Sequence, residues 1–288
     1  MNTIAALAAC INIAIIPGSY TDGSFYELYS KASLEEHLQK ANDWLVEAGN
    51  GLCAEFTVFE EVSIPYPSKG CNFSNWGEKY IKSTGIVDFN YYDVALILFP
   101  YSGEHCTSYG GASGPWCYNG VPDFRLLIHE CVGHSGLQLR DARSDYGTVE
   151  THGDGSTIMG SAMWLAKPPA FSLPEFYNTG AVTTTKTKTL PFTTVLGNYT
   201  SNMNTKPMFG GVRIELDAVE YFISYKTKLG INSDISDENA HGVLVHKHTG
   251  NGYIYLLGSA SCFDCEKNFP FTVTILREND YVAIVRVE

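Results

Sequence analysis

Apolar positions follow two rhythms along this chain, one close to a helical turn and one close to alternation, and the change between them divides the sequence. Asn12 to Pro17, apolar from Ile13 on, predicts a buried first strand ended by Pro17-Gly18. Leu34, Leu38, Ala41, Leu45 and Ala48 then recur at helical spacing behind a Ser33/Glu36 capping box, and Gly49 and Gly51 end that helix. Phe56 to Ile64 is β-branched and aromatic up to Pro65, a second strand, and Asp93 to Phe99 reads as a third, buried one. Phe124 to Ile128 opens an apolar helix. Turn formers follow as far as Ser156 to Gly160, and Ser172 to Tyr177 suggests a short helical turn behind Pro168-Pro169.

From about Ala181 the rhythm becomes that of strands: Val212 to Leu216, Glu220 to Tyr225, Gly242 to His246, Tyr253 to Leu257, Phe271 to Leu276 and Tyr281 to Val287. Asn251-Gly252 and Glu278-Asn279-Asp280 mark turns between them, and the Thr183 to Thr189 run reads as a linker. The expected class is α+β. A first domain, 1–180, would carry a twisted mixed sheet and one prominent helix, and a second, 181–288, a small antiparallel β-sandwich.

Composition narrows the function. A net charge of -12 over 288 residues supplies no phosphate-neutralising basic face, which argues against nucleic acid or an anionic membrane as partner. No segment is long and apolar enough to span a bilayer. Eight cysteines lack the paired spacing of a zinc ribbon; Cys262 and Cys265 suggest a short disulfide, and a bridge from Cys106 to Cys117 would hold the segment between them as a loop. With the sequons at Asn72 and Asn198, this points to an oxidising, extracellular setting. Ile4 to Ile16 lacks the basic flank of a signal peptide and reads as structure, despite a lipoprotein-like Leu7-Ala8-Ala9-Cys10; any signal or pro-segment is expected outside this sequence.

The chemistry concentrates in Ile128 to Asp141. His129-Glu130 is followed by Gly133-His134, so two histidines flank a glutamate at a spacing of five instead of the four of H-E-x-x-H. At 3.6 residues per turn the fourth residue lies about 40° round from the first and the fifth about 140°. Either the helix takes in a π-bulge, or no metal binds. A peptidase of this type needs metal ligands and a carboxylate to take the proton of a water. His129 and His134 supply two ligands and Glu130 the base; Asp141 is the best third ligand, with His152 its main rival and Asp145 and Glu150 behind. Singly, each histidine fits a core position and Glu130 a helix surface; jointly they favour zinc. His37, His105, His241, His246 and His248 read as surface or strand residues. Cys131 reads as a core or paired cysteine, and Ser135 does not meet the G-x-S-x-G pattern of a serine hydrolase. The Gly-rich Ser108 to Gly114 fits either an edge strand that a peptide could extend or a plain surface loop.

These residues resemble the metzincin peptidases, and within them the gametolysin-like algal autolysins. The likeness rests on the motif helix and on Gly153 to Gly160, which looks like the Met-turn that sets a methionine, here Met159, beneath the metal. Ile223 to Ile231 and Gly242 to His246 are similar to that family's downstream β region, and Leu139-Arg140-Asp141-Ala142 parallels its L-x-H-A ending. The chain departs from H-E-x-x-H-x-x-G-x-x-H by one residue before His134 and by Asp141 in place of the last histidine. Its H-E-x-x-G-H form is similar to dipeptidyl peptidase III and to immunoglobulin-A-peptidase-like proteins. The resemblance implies zinc as cofactor on His129, His134 and Asp141, a protein or peptide substrate of extracellular or cell-wall glycoprotein kind, and secretion. The competing expectation is a pseudopeptidase that has lost its metal and serves as a binding module.

Overall fold

The computed structural model describes residues 10–20, 30–48, 52–64, 84–99, 110–120, 123–178, 186–197, 211–235, 241–260 and 266–288. The glycosylation sequons, the Cys262/Cys265 pair, Cys106 and His105 lie outside the described residues. The protein is a mixed α and β structure with few helices and several sheets, and it divides into two compact units. One is drawn from 10–45 and 53–138, the other from 46–52 and 139–288.

In the first unit, β1 (Ile11–Tyr20), β2 (Ala54–Val58), β3 (Val62–Ile64), β4 (Val94–Leu98), β5 (Gly110–Ser113) and β6 (Trp116–Asn119) form one sheet in the order β2-β1-β4-β6-β5, with β3 also on β1. Every pairing is parallel except β5 with β6. All five residues of β4 are buried, as a parallel strand covered on both faces requires. One face gathers Ile16, Ala95, Ile97, Phe99, Trp116 and Tyr118 into a core cluster. Cys10 and Cys53 form a disulfide at the start of β1 and β2, which removes Cys10 from any lipoprotein role.

Two expected boundaries move. Pro17 does not end β1, which continues to Tyr20. The Ile15 carbonyl accepts from Phe59 N at 2.8 Å, so residues of that parity face β2 and β3. The N–H that Pro17 lacks would point where 59–61 leave the ladder, and nothing is lost. The same gap splits the expected second strand into β2 and β3. Helix α1 (Lys31–Ala48) starts three residues earlier than Ser33: its cap is Ser30, whose Oγ accepts from Ser33 N at 3.1 Å. Leu34, Ala41, Leu45 and Ala48 are buried along it, together with Trp44.

In the second unit all six expected strands form: β11 (Gly211–Leu216), β12 (Val219–Lys226), β13 (Gly242–His248), β14 (Ile254–Ala260), β16 (Thr272–Glu278) and β17 (Val282–Val287). Five more were not read from the sequence: β7 (Arg143–Asp145), β8 (Val149–Glu150), β9 (Lys186–Lys188), β10 (Phe192–Gly197) and β15 (Glu266–Asn268). β7 and β8 lie where only turns were expected, and β9 lies within the expected linker. Each is two or three residues long; β7 and β9 are held by partners far away in sequence, and β8 pairs with β7, so no local rhythm announces them. A seven-stranded sheet runs β8-β7-β14-β13-β12-β11-β9 and a four-stranded one β10-β17-β16-β15. One core cluster draws Val212, Ile223 and Val245 from the first of these and Val273, Val285 and Val287 from the second. Because β7 pairs with β14, the stretch after the motif helix folds with the C-terminal strands.

Candidate metal centre

A short α-helix, α2 (Phe124–Leu126), runs directly into a ten-residue π-helix, Leu127–Gly136. Asp123 caps it by accepting from Arg125 N at 2.8 Å, and the Phe124 N–H donates to His37 Nδ1 at 3.2 Å. Burial holds the His37 imidazole below its ordinary range, which suits it to be the neutral acceptor that bond requires. The π-helix packs against β1, β4, β5 and β6. At its end a Cβ on Gly136 would come within 2.9 Å of the Ile11 side chain, so glycine lets the helix lie close to β1 without displacing it.

The π geometry resolves the spacing of five. A π-helix bonds residue i to i+5, as Leu137 N does to the Val132 carbonyl at 2.8 Å, and this stacks residues five apart. His129 Nε2 and His134 Nε2 are 3.1 Å apart, with the rings perpendicular and their centroids 4.7 Å apart. Two nitrogens each ~2.0–2.1 Å from a tetrahedral zinc would lie roughly 3.3 Å apart, so the pair fits one ion with little adjustment. The same separation also suits a direct ring-to-ring hydrogen bond. The ligand atoms of His129, Glu130 and His134 all lie within 4.8 Å of one another. His129 is 2% exposed and Glu130 9%, so both side chains sit in an enclosed setting.

Two neighbours shape the space around Glu130. β5 is the edge of its sheet among the described residues, which favours the edge-strand alternative for the Gly-rich segment. A Cβ on Gly110 would sit 3.1 Å from Asn119 Oδ1 and 3.4 Å from Glu130 Cγ, so this glycine brings strand backbone against the glutamate. Cys117 is a free, buried thiol 3.4 Å from Ser135 Oγ, so it forms no bridge to Cys106. Cys131 is likewise free and buried in the core.

In the other unit, Asp141 Oδ1 and His152 Nε2, the two leading candidates for third ligand, are 2.8 Å apart. His152 takes φ +58, a left-handed backbone that non-glycine residues adopt at a cost of about 1–3 kcal/mol and that clusters at functional sites. Gly153 follows where a Cβ would strike Ser144 Oγ at 2.2 Å, and at Gly160 one would meet the Asp154 carbonyl at 2.0 Å. Met159 is fully buried, and its carbonyl accepts from Ala142 N at 2.9 Å, tying this turn to the residue after Asp141. Asp145 and Glu150 sit at the β7–β8 hairpin, where Asp145 faces Lys247 at 3.9 Å.

Beneath that turn lies a buried polar cluster that the sequence did not reveal. His246, expected on a strand surface, is wholly buried with Nε2 3.1 Å from Asp154 Oδ2. Asp154 also accepts from Ser156 N at 2.8 Å and Ser156 Oγ at 2.6 Å. Burial pushes its carboxyl upward, and the His246 and Ser156 contacts outweigh that, leaving it below the usual carboxylate range. The Lys226 ammonium donates to the Ser156 and Ala170 carbonyls, and burial lowers it to about 8 against the opposing pull of Asp154 and Glu175. Glu175 accepts from Thr157 Oγ1 at 2.6 Å and is raised, chiefly by burial. Alternation alone placed His246 outside, because a strand between two covered faces exposes neither.

Compared with known proteins, the chain matches no family model and no curated protein.

Proposed function

We propose that the chain is a secreted zinc endopeptidase of the gametolysin-like metzincin kind, acting on extracellular or cell-wall proteins and glycoproteins. Its first unit would be the catalytic sheet and helix, and its C-terminal strands a β-sandwich, a reading supported by the core cluster that draws on both β-sheets. The observation that carries the functional proposal is the 3.1 Å approach of His129 Nε2 to His134 Nε2 across a π-helical turn. A spacing that an α-helix cannot bring to one ion becomes usable there without further distortion.

His129, His134 and Asp141 would hold zinc, and His152, bonded to Asp141, would orient that carboxylate as the partners of metal ligands commonly do. Zinc supplies a Lewis acid that polarises the scissile carbonyl and lowers the pKa of a water. Glu130 takes that water's proton and returns it to the leaving amine. β5, an edge strand whose Gly110 lies against Glu130, offers backbone groups on which an extended peptide can align. Met159 is the Met-turn residue, buried and tied through its carbonyl to Ala142. A disulfide at Cys10–Cys53 suits an oxidising compartment, and no helix among the described residues is long and apolar enough to cross a membrane.

Glu130→Gln separates this reading from a pseudopeptidase. Zinc-loaded wild type is expected to hydrolyse casein, and the variant to keep its zinc while losing at least about a hundredfold in rate. Equal rates in the two proteins, or none in either, would contradict the assignment.

A further inference from the structure

Near Asp141 the second unit gathers positive charge that is only partly balanced among the described residues. Arg143 on β7, Tyr255 on β14 and Lys247 on β13 are register partners across three adjacent strands, so their side chains rise from one face. Tyr253, two residues before Tyr255, has its ring centroid 6.4 Å from that of its neighbour. The Arg143 guanidinium stands 3.9 Å from the Tyr253 centroid and 6.0 Å from that of Tyr255; Arg140 stands 4.6 Å from Tyr253, and Lys247 Nζ 5.3 Å from Tyr255. Arg140 Nε lies 3.5 Å, and its Cδ 3.8 Å, from where a Cβ of Gly252 would be, so the hairpin turn leaves a shelf for that side chain.

Lys247 faces Asp145 at 3.9 Å, but Arg140 and Arg143 have no carboxylate partner among the described residues, and Arg143 Nε is buried without a hydrogen bond. The two centroid distances put the guanidinium carbons no more than ~8.5 Å apart, about one Debye length in physiological salt, so their repulsion is only partly screened. In a chain with 31 acidic and 19 basic residues, two arginines held on one ring without an acid form an arrangement that an incoming anion would relieve.

We infer that Arg140 and Arg143, on the Tyr253 and Tyr255 platform, form a specificity subsite for an acidic side chain of the peptide substrate. This rests on the peptidase reading, because the subsite starts one residue from Asp141. The guanidinium fork matches a carboxylate bidentately, and the tyrosine faces hold both arginines in place. A single carboxylate on an otherwise neutral peptide suits the patch better than a polyanion, which the net charge of -12 would repel as a whole.

The test uses zinc-loaded full chain and fluorogenic peptides that each carry one Glu, position by position, beside their Gln counterparts. At one position wild type is expected to favour Glu in kcat/KM by about five- to tenfold, a preference that shrinks with added salt. Arg140→Gln/Arg143→Gln should hydrolyse the two peptides equally. Arg140→Gln alone, at an exposed position that tolerates change, should lose part of the preference. A Glu/Gln ratio of one in wild type at every position, or a ratio the variants leave intact, overturns the subsite while leaving the peptidase standing. Heparin retention that depends on both arginines, combined with a ratio of one, assigns the patch to a polyanion instead and also overturns it. Absence of hydrolysis of every peptide sinks the peptidase reading, and the subsite with it.

Discussion

Asp141 and His152 are the two side chains whose roles the sequence left open, and the structure finds them bonded to each other at 2.8 Å. Under the proposal, that contact would turn rivalry into division of labour, one residue ligating while the other orients it. Under the proposed assignment, Asp141→Ala would remove a ligand, whereas His152→Ala would remove only a hydrogen bond to one. Zinc affinity, measured by competition with a chelating dye, should fall further in Asp141→Ala, with His152→Ala losing about 10–100-fold. The reverse order would make His152 the ligand. At this scale the sequence exposed the motif residues well, because His129, Glu130 and His134 are neighbours in the chain and chemistry-bearing by type. It hid His246, whose partner Asp154 is 92 residues away. Nothing in the pattern of β13 distinguishes a buried imidazole with a carboxylate partner from an exposed one.

Among elements, the π-helix matters most. The sequence posed the right alternatives there, a bulge or no metal, yet the extent of the π turn was not legible. It depends on how the helix seats on its sheet, with Gly136 against Ile11 and Phe124 N on His37, contacts made across long separations. The same holds for the turn carrying Met159, whose floor is Lys226 of β12. Lys226 gives this element a pH signature. Burial lowers its ammonium to about 8 in the folded protein, while Asp154 and Glu175 facing it pull the other way; in the unfolded chain it titrates at about 10.4. A folded value below the unfolded one means that Lys226 withholds stability when protonated. That stability is present above the unfolded value and is lost as pH falls through about 8. Tyr225, raised to about 12 chiefly by burial, withdraws stability in the opposite sense once pH passes 10. Urea unfolding between pH 7 and 10 should therefore show wild type gaining on Lys226→Met, by on the order of 2–3 kcal/mol at most. Parallel curves would mean that Lys226 titrates normally.

Over the whole molecule, the α and β character and all six main C-terminal strands were legible, because turn pairs such as Asn251-Gly252 and alternating runs are local signals. The partnership of β7 with β14 was not, and it carries the segment from Leu139 to the Met159 turn into the β-rich unit. The motif residues His129, Glu130 and His134 belong to the first unit, and Asp141 to the second. Metal content tests the proposed zinc site most directly: protein expressed with ample zinc, dialysed and analysed by inductively coupled plasma mass spectrometry. About one zinc per chain is expected, lost in His129→Ala and His134→Ala alike; a wild-type protein that carries no zinc would contradict the proposal.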